Sequence, residues 1–143
     1  MIQERSAGAA IFRDNSQDFS SPLFLVVKSG FGHWDIPKGN IEKGEATLDT
    51  VRREVAEETG IADLEFMPDF KETIHYIYRR DEQLVTKWVA YFLALTSQEE
   101  IKLSFEHQDF AWLPFEEALE RLTFKNTKSI LLKAENYLKL KRK

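Results

Sequence analysis

Cysteine is absent from the 143-residue sequence. Without thiols the chain has no disulfide framework, no thiolate zinc site and no cysteine nucleophile. Proline and glycine are scarce, at four and six residues, and the hydrophobic fraction is 43%. This composition argues against a disordered or low-complexity chain and for an ordinary globular protein.

Long hydrophobic runs are also missing. No segment approaches the roughly eighteen consecutive apolar residues that cross a bilayer, so we expect no membrane partner. The first residues, MIQERSAGAAIF, include Glu4 and lack a long apolar stretch. We therefore expect no secretory signal and a cytoplasmic protein.

Neither sign of charge dominates, since 20 basic and 24 acidic residues give a formal net charge of −4. A dedicated nucleic-acid binder is usually basic, so nucleic acid is not the expected partner. The length suits a single domain, which we place at residues 1–143. The composition gives no indication of the oligomeric state.

The hydrophobic pattern predicts strands interleaved with helices, which is typical of an α/β sandwich. A loop is expected at 14–22 and a hairpin turn at 80–83. The predicted strands lie at residues 6–12, 23–27, 66–79, 84–95 and 110–113, and the predicted helices at about 47–59, 115–121 and 126–140.

The stretch GNIEKGEATLDTVRREVAEETGI, from Gly39 to Ile61, concentrates six carboxylates beside three cations. Like charges at this density weaken a helix by roughly a few tenths of a kcal/mol per close pair. A positively charged ligand among them would explain the clustering. Thr47 is the expected N-cap of the helix, and Gly60 is expected just after its last turn.

On this helix Glu54, Glu57 and Glu58 share one face within about 100°. An adjoining apolar stripe, formed by Leu48, Val51 and Val55, is expected to face the core. Several anionic oxygen ligands suit a hard divalent ion such as Mg²⁺, or Mn²⁺. The alternative is a solvated acidic face with local ion pairs, and the glycine-containing loop before the helix favours the metal site.

The same stretch resembles the signature of the Nudix hydrolases. That signature is a Gly, five residues, a Glu, seven residues, and then Arg-Glu-aliphatic-x-Glu-Glu-x-Gly-aliphatic. Its nine specified positions are filled without a gap by Gly39, Glu45, Arg53, Glu54, Val55, Glu57, Glu58, Gly60 and Ile61. The resemblance implies an α/β/α sandwich built on a mixed β-sheet. It also implies metal-dependent hydrolysis of a nucleoside diphosphate linked to another group.

By position in the signature, Glu54, Glu57 and Glu58 would bind the metal together with the Gly39 carbonyl. Arg53 would hold the carboxylates in place, and Glu45 would stabilise the junction of loop and helix. This chemistry is physically reasonable, because a polyphosphate is repelled by an acidic site unless a metal ion lies between them. A carboxylate close to the attacking water can act as general base.

The segment HWDIPKG, from His33 to Gly39, precedes the signature and points to a branch of the family. It resembles the asymmetrical diadenosine tetraphosphate hydrolases, although Asn40 replaces the His that is common there. His33 and Lys38 are placed to donate hydrogen bonds to phosphate oxygens, with solvated surface side chains as the alternative.

Downstream of the signature, Tyr76 and Tyr78 lie sixteen and eighteen residues beyond Gly60, where this branch has a tyrosine. A ring there can stack on adenine, or both rings can simply pack on one face of a strand. Lys87 matches a lysine that reaches the polyphosphate in this branch. A solvated strand lysine is the alternative.

The segment LSFEHQDFAWLPFEEAL also resembles this branch. Glu106 would approach the metal from the loop opposite the helix, as a ligand or as the general base, while His107 would support that loop. Phe124 would close the nucleotide pocket or pack in the core, and we favour the core. Residues 139–143, KLKRK, are expected to be a solvated helix end.

Resemblance to this branch implies that water attacks diadenosine tetraphosphate to give ATP and AMP. Several other activities of the family stay open: an RNA 5′-pyrophosphohydrolase, an enzyme that removes damaged nucleoside triphosphates, and an ADP-ribose hydrolase. A catalytically inactive nucleotide-binding module is a further alternative, which the three intact helix glutamates disfavour.

Overall fold

A computed structural model describes residues 1–16 and 18–142. Across these residues the chain forms an eight-stranded mixed sheet with helices on both faces. In chain order the elements are β1 (Ile2–Arg13), β2 (Leu23–Ser29), β3 (Trp34–Asp35), β4 (Lys38–Asn40), α1 (Thr47–Thr59), β5 (Glu65–Phe66), β6 (Glu72–Arg80), β7 (Gln83–Leu95), β8 (His107–Pro114), α2 (Phe115–Arg121) and α3 (Lys125–Lys141).

The two longest strands, β1 and β7, run parallel at the centre of the sheet, from Ile2 opposite Val85 to Phe12 opposite Leu95. The other edge of β1 pairs with β4 and then with β2, both antiparallel. β2 continues the sheet to β3 and β8, whereas β7 continues it to β5 and β6. The middle of β1 is buried on both faces, as its nearly continuous run of apolar residues requires.

Alternate residues of β1 supply two separate cores. Ala7, Ala9 and Ile11 pack with Val51 and Val55 of α1 on one face of the sheet. On the other face, Ala10 and Phe12 pack with residues of α2 and α3. The predicted α/β/α sandwich with a mixed sheet is therefore confirmed.

Helix α1 spans the predicted residues, but its first turn differs from the expectation. Ala46, rather than Thr47, is the N-cap, and no side chain in the described chain caps it. Leu48 is 41% exposed, so the apolar stripe consists of Val51 and Val55 alone. Gly60 ends the helix as predicted, with a φ of 78° and its N–H bonded to the carbonyl of Ala56.

The predicted strand at 66–79 is confirmed at 72–79, which lie in β6, but it is interrupted at 67–71, where the chain leaves the sheet between β5 and β6. Pro68 has no N–H to donate to a ladder, and Asp69 has a φ of 65°, which a strand does not allow. The hairpin turn was predicted correctly at 80–83. Asp81 and Glu82 have φ values of 50° and 66°, as a tight two-residue hairpin requires.

Other strand boundaries were too short or absent in the prediction. β1 and β8 extend beyond the predicted 6–12 and 110–113, and the short strands β3 and β4 were not foreseen. Residues of β3 and β4 form strands because they pair with β2 and β1, which no local pattern reveals. The predicted solvated helix end is confirmed at 139–141, which are exposed, and Lys143 lies outside the described residues. Arg142 is instead partly buried and forms an ion pair with the buried Glu135 at 3.0 Å.

None of the helices in the described part of the chain is long and apolar enough to cross a membrane. The expected single domain over 1–143 and the expected cytoplasmic location stay predictions.

Candidate active site

Strand β4 brings the start of the signature against α1. A Cβ atom placed on Gly39 would lie 2.0 Å from the carboxyl carbon of Glu54, so any other residue would displace that carboxylate. Glycine at this position therefore permits close contact between the backbone of β4 and the acidic face of α1. Asn40 follows at once and accepts a hydrogen bond from Ser6 of β1, which fixes the register of β4.

Arg53 connects the loop to the helix. Its Nε donates to Glu45 Oε2 at 2.8 Å, and its Nη1 donates to Glu54 Oε1 at 2.8 Å and to Glu57 Oε2 at 3.3 Å. A further bond, of 3.0 Å, reaches the carbonyl of Asn40. One guanidinium group thus holds two of the three helix carboxylates that are predicted to bind the metal, and also the chain that leaves β4.

Glu45 lies on the other side of Arg53, at the junction of loop and helix. It accepts a 2.6 Å hydrogen bond from Thr50 and a 3.1 Å bond from the backbone N–H of Glu42. The bonds from Arg53, and then that from Thr50, lower the pKa of Glu45 to about 2. Its contacts are those of an ionised group that stabilises the junction.

Glu58 is the most deeply buried of the helix carboxylates, with 12% of its side chain exposed. Burial, and then the negative charges of Glu54 and Glu106, raise its pKa to about 8. Its Oε2 atom is buried, and no hydrogen-bond partner for it lies in the described part of the chain. His107 Nε2 lies 3.8 Å from the other oxygen, and burial lowers the pKa of this imidazole.

The loop that carries Glu106 is bonded to α1 and to the turn after β2. The N–H of Ser104 donates to the carbonyl of Glu58 at 3.2 Å, and the N–H of Gly30 donates to the carbonyl of Glu106 at 3.1 Å. Ser104 Oγ also lies 3.2 Å from Nδ1 of His107. This contact within the loop agrees with the supporting role predicted for His107. The exposed Glu106 carboxylate thus lies within electrostatic reach of Glu54 and Glu58.

These residues fit a divalent cation, although no three Asp, Glu, His or Cys side chains in residues 1–16 and 18–142 already converge in metal-binding geometry. The buried Glu58 oxygen lacks a partner, and the glycine backbone lies against Glu54. The available donors are all oxygens and mostly anionic, which suits a hard ion. Glu57 is farther out, with 58% of its side chain exposed.

A cavity of about 210 Å³ lies across β4 from the acidic face of α1. Its walls include Asp35, Lys38, Tyr76, Tyr91, Phe124 and Asn126. Phe124 is 41% exposed, so the prediction that it packs in the core is wrong. The ring of His33 packs edge-on against that of Phe124, with the ring centroids 5.1 Å apart. Sequence reasoning missed Asp35, Tyr91 and Asn126. Only Asp35 carried a signal, because it lies within HWDIPKG.

Tyr76 and Tyr78 share one face of β6, with ring centroids 6.0 Å apart, yet only Tyr76 lines the cavity. The Tyr78 hydroxyl donates to Glu4 Oε1 at 2.6 Å, and Arg80 bonds to the other oxygen of Glu4 at 3.1 Å. Lys87 pairs with Tyr76 across the strands. Its burial, and then the nearby charge of Lys38, lower the pKa of Lys87.

Larger cavities lie elsewhere in the described part of the chain, with volumes of about 510, 490, 430 and 370 Å³, and none of them is lined by a residue of the signature. Two of them, of about 510 and 430 Å³, lie at the ends of strands. One adjoins Leu23 and Pro114, where β2 begins and β8 ends, and the other adjoins Arg13 and Leu95, where β1 and β7 end. Size therefore does not identify the active site in this chain.

The fold and the arrangement around α1 define a class of protein, and the chain belongs to it: residues 3–133 match the model of the NUDIX domain family. The protein is therefore a Nudix hydrolase. Among its relatives is the asymmetrical bis(5′-nucleosyl)-tetraphosphatase of Mus musculus, which is 36% identical over 141 residues, covering 94% of this chain and 95% of the mouse protein.

A solved structure agrees with the sequence match. The binary complex of the C. elegans Ap4A hydrolase superposes with a TM-score of 0.81 at 28% identity, covering 95% of this chain and 98% of that one. The RNA pyrophosphohydrolase of Bartonella henselae is 30% identical over 81 residues, which span 54% of this chain and 47% of that protein. The tetraphosphatase match thus extends over both the acidic helix and the cavity wall.

Proposed function

We propose that this protein hydrolyses dinucleoside polyphosphates, with diadenosine tetraphosphate as substrate and ATP and AMP as products, using Mg²⁺ or Mn²⁺. One observation carries the proposal. Neighbouring residues of β4 face two different chemical environments, since Lys38 lines the cavity and Gly39 contacts Glu54 on the acidic helix. A nucleoside in the cavity therefore has its phosphate chain directed past β4 to the carboxylates.

The acidic side of β4 would hold the metal through Glu54, Glu57, Glu58, Glu106 and the Gly39 carbonyl. When bound, a divalent ion there offsets phosphate charge and activates a water molecule. Arg53 keeps the carboxylates of Glu54 and Glu57 in place through its bonds of 2.8 and 3.3 Å. A carboxylate of this set accepts the proton of the attacking water.

The cavity side would bind the substrate. Lys38 and Lys87 are close enough for one charge to affect the other, and a pair of cations matches a polyanionic chain. His33, at the edge of the cavity, would donate to a phosphate oxygen. Tyr76 and Phe124 would contact the base, and Tyr78 would hold β6 through Glu4 rather than touch the base itself.

A substrate screen tests the proposal. The protein is supplied with Mg²⁺ or Mn²⁺ and with diadenosine tetraphosphate, nucleoside triphosphates, ADP-ribose or 5′-triphosphorylated RNA, and the products are separated. The proposal expects the highest kcat/KM for diadenosine tetraphosphate, with equal amounts of ATP and AMP. Two molecules of ADP as the product, or a higher kcat/KM for triphosphorylated RNA, would contradict it.

A further inference from the structure

Two phenylalanine side chains are almost completely exposed in this protein. Phe31 is 91% exposed and Phe105 is 97% exposed. A single exposed apolar side chain needs no explanation, but two fully exposed aromatic rings on neighbouring turns beside a candidate active site are available to bind a ligand. We call this pair the aromatic rim.

The antiparallel pairing of β2 and β8 places the two rings at the same end of the sheet. Ser29 of β2 pairs with His107 of β8, so Phe31 follows that pair by two residues and Phe105 precedes it by two. Beyond the pair, the N–H of Gly30 still donates to the carbonyl of Glu106 at 3.1 Å. The aromatic rim therefore lies on two adjacent, bonded turns.

Both turns have hydrogen bonds that fix their shape. Around Phe31, the N–H of Ser29 donates to the carbonyl of His33 at 2.8 Å, and the N–H of Gly32 donates back to Ser29 at 2.9 Å. Around Phe105, the N–H of His107 donates to Ser104 at 3.1 Å. The rings are thus presented by ordered backbone, which lowers the entropy cost of binding a ligand.

The aromatic rim is continuous with the candidate active site on both sides. Phe105 is the direct neighbour of Glu106, whose charge acts on Glu54 and Glu58. Phe31 lies two residues from His33, whose ring packs against Phe124 at the mouth of the cavity. A molecule that extended from the cavity across the carboxylates would therefore reach the two turns that carry these rings.

We infer that the aromatic rim stacks on the second nucleobase of a dinucleoside polyphosphate. This inference rests on the proposed function, in which the substrate carries two bases. The cavity beside Tyr76 and Phe124 accounts for one base, and the other emerges beyond the carboxylates. Aromatic side chains bind any base through its π-face, so the aromatic rim selects for the presence of a second base rather than for its identity.

Paired substrates isolate this interaction. Diadenosine tetraphosphate and adenosine 5′-tetraphosphate share one nucleoside and the phosphate chain, and differ only in the second nucleoside. In a Phe31→Ala/Phe105→Ala variant we expect KM for the dinucleotide to rise about tenfold, as loss of base stacking does. KM for the mononucleotide should stay within about twofold, and kcat for both should be retained.

Two further variants serve as controls. Leu140→Ala removes another highly exposed apolar side chain, at 85% exposure on α3, and should change neither KM. Phe31→Tyr/Phe105→Tyr retains both rings and should keep the parental preference for the dinucleotide, whereas Phe31→Leu/Phe105→Leu retains apolar surface without rings and should lose it.

The contrary outcomes are separable. If the parent hydrolyses diadenosine tetraphosphate but the alanine variant shows the same ratio of KM values for the two substrates, the inference fails and the proposed function stands. A leucine variant as selective as the parent contradicts stacking as well. If the parent leaves diadenosine tetraphosphate intact, the proposed function and the inference are both overturned.

Discussion

Glu58 serves two needs that conflict when no cation is bound: a stable folded protein, and a negative charge available to a metal ion. Its carboxyl group is buried, one of its oxygens has no partner in the described chain, and Glu54 and Glu106 add negative charge nearby. Burying a carboxylate without compensation is costly, so the folded protein holds this group at a penalty. A residue selected for stability alone would not be acidic here, which is the expected signature of a functional position.

Replacement of Glu58 by Gln is expected to lower activity while raising the stability of the metal-free protein. Loss of a charged metal ligand should lower kcat/KM for diadenosine tetraphosphate by about a hundredfold or more. The same change should raise the melting temperature of the metal-free protein at pH 8, because it removes a buried charge. Both are measured on one preparation, by product assay and by thermal unfolding in EDTA. Retention of activity within about threefold would refute the metal assignment.

The stability gain should depend on pH in a defined direction. The pKa of Glu58 is raised from 4.5 to about 8, so the folded state binds the proton more tightly than the unfolded state. The parent therefore loses stability as pH rises from about 4.5 towards 8, and Glu58→Gln should lose less, because the contribution of this carboxyl group is removed. Unfolding in EDTA should show similar melting temperatures near pH 4.5 and a gap that widens up to pH 8. Glu57→Gln, at an exposed position, is the matched control and should show no such gap.

Tyr76 and Tyr78 lie on the same face of β6, but only Tyr76 lines the cavity. Tyr76→Leu keeps apolar volume in the cavity wall and removes the ring, so KM should rise about tenfold with little change in kcat if the ring stacks on the base. Tyr78→Phe keeps the ring, removes the hydroxyl that donates to Glu4 and accepts from Arg80, and should leave KM unchanged. Steady-state kinetics check both, and unfolding in denaturant checks folding. An equal rise of KM in the two variants would contradict the assignment.

At the scale of elements, α1 begins without a side-chain cap. Ala46 has the extended φ and ψ of an N-cap, −72° and 149°, and a methyl group that cannot accept a bond from the first turn. Glu45 meanwhile bonds to Arg53 and Thr50. The entrance to the helix is thus organised around Arg53 and its carboxylates, and the first-turn N–H groups gain nothing from a cap.

Ala46→Ser should therefore stabilise the protein. A serine hydroxyl at an N-cap accepts a bond from a first-turn N–H, and this contributes about 1 kcal/mol. Activity should be unchanged, since Ala46 is not among the residues assigned to the metal or to the substrate. Chemical denaturation measures the gain, with Ala62→Ser as a control at an exposed alanine outside any helix. An equal change in unfolding free energy for the two substitutions would show that the serine hydroxyl does not cap the helix.

Element boundaries were predictable where the residue itself sets them. Gly60 ends α1 because glycine adopts a positive φ readily, and that is visible in sequence. The short strands β3 and β4 exist only through pairing with distant β2 and β1, so no local pattern specifies them. The same limit applies to Phe124, whose place in the cavity wall rather than the core depends on how α3 meets the sheet.

At the scale of the whole molecule, metal binding should be linked to global stability. A ligand that binds only the folded state raises the unfolding free energy, by roughly 2.7 kcal/mol when its concentration is a hundred times Kd. We expect Mg²⁺ or Mn²⁺ to raise the melting temperature of the parent and EDTA to reverse the rise and abolish hydrolysis. Sodium chloride of equal ionic strength is the control.

The Glu58→Gln variant makes this test more specific, because it should lose most of the metal-dependent rise in melting temperature. A shift of equal size in the parent and the variant would place the stabilising ion elsewhere on the molecule. Absence of any shift in an active parent would mean that the metal binds only together with substrate.

The sequence by itself determined the chemistry of the acidic helix. Nine positions from Gly39 to Ile61 specify it because a helix fixes the relative directions of side chains three and four residues apart, so the grouping of Glu54, Glu57 and Glu58 needs no tertiary information. Sheet pairing decided the rest. It set Lys38 and Gly39 on opposite sides of β4, left Tyr76 but not Tyr78 in the cavity, and joined the turn that carries Phe31 to the turn that carries Phe105. Each of these placements depends on contacts with segments that are distant in the chain, and such contacts are specified only when the strands that carry them pair.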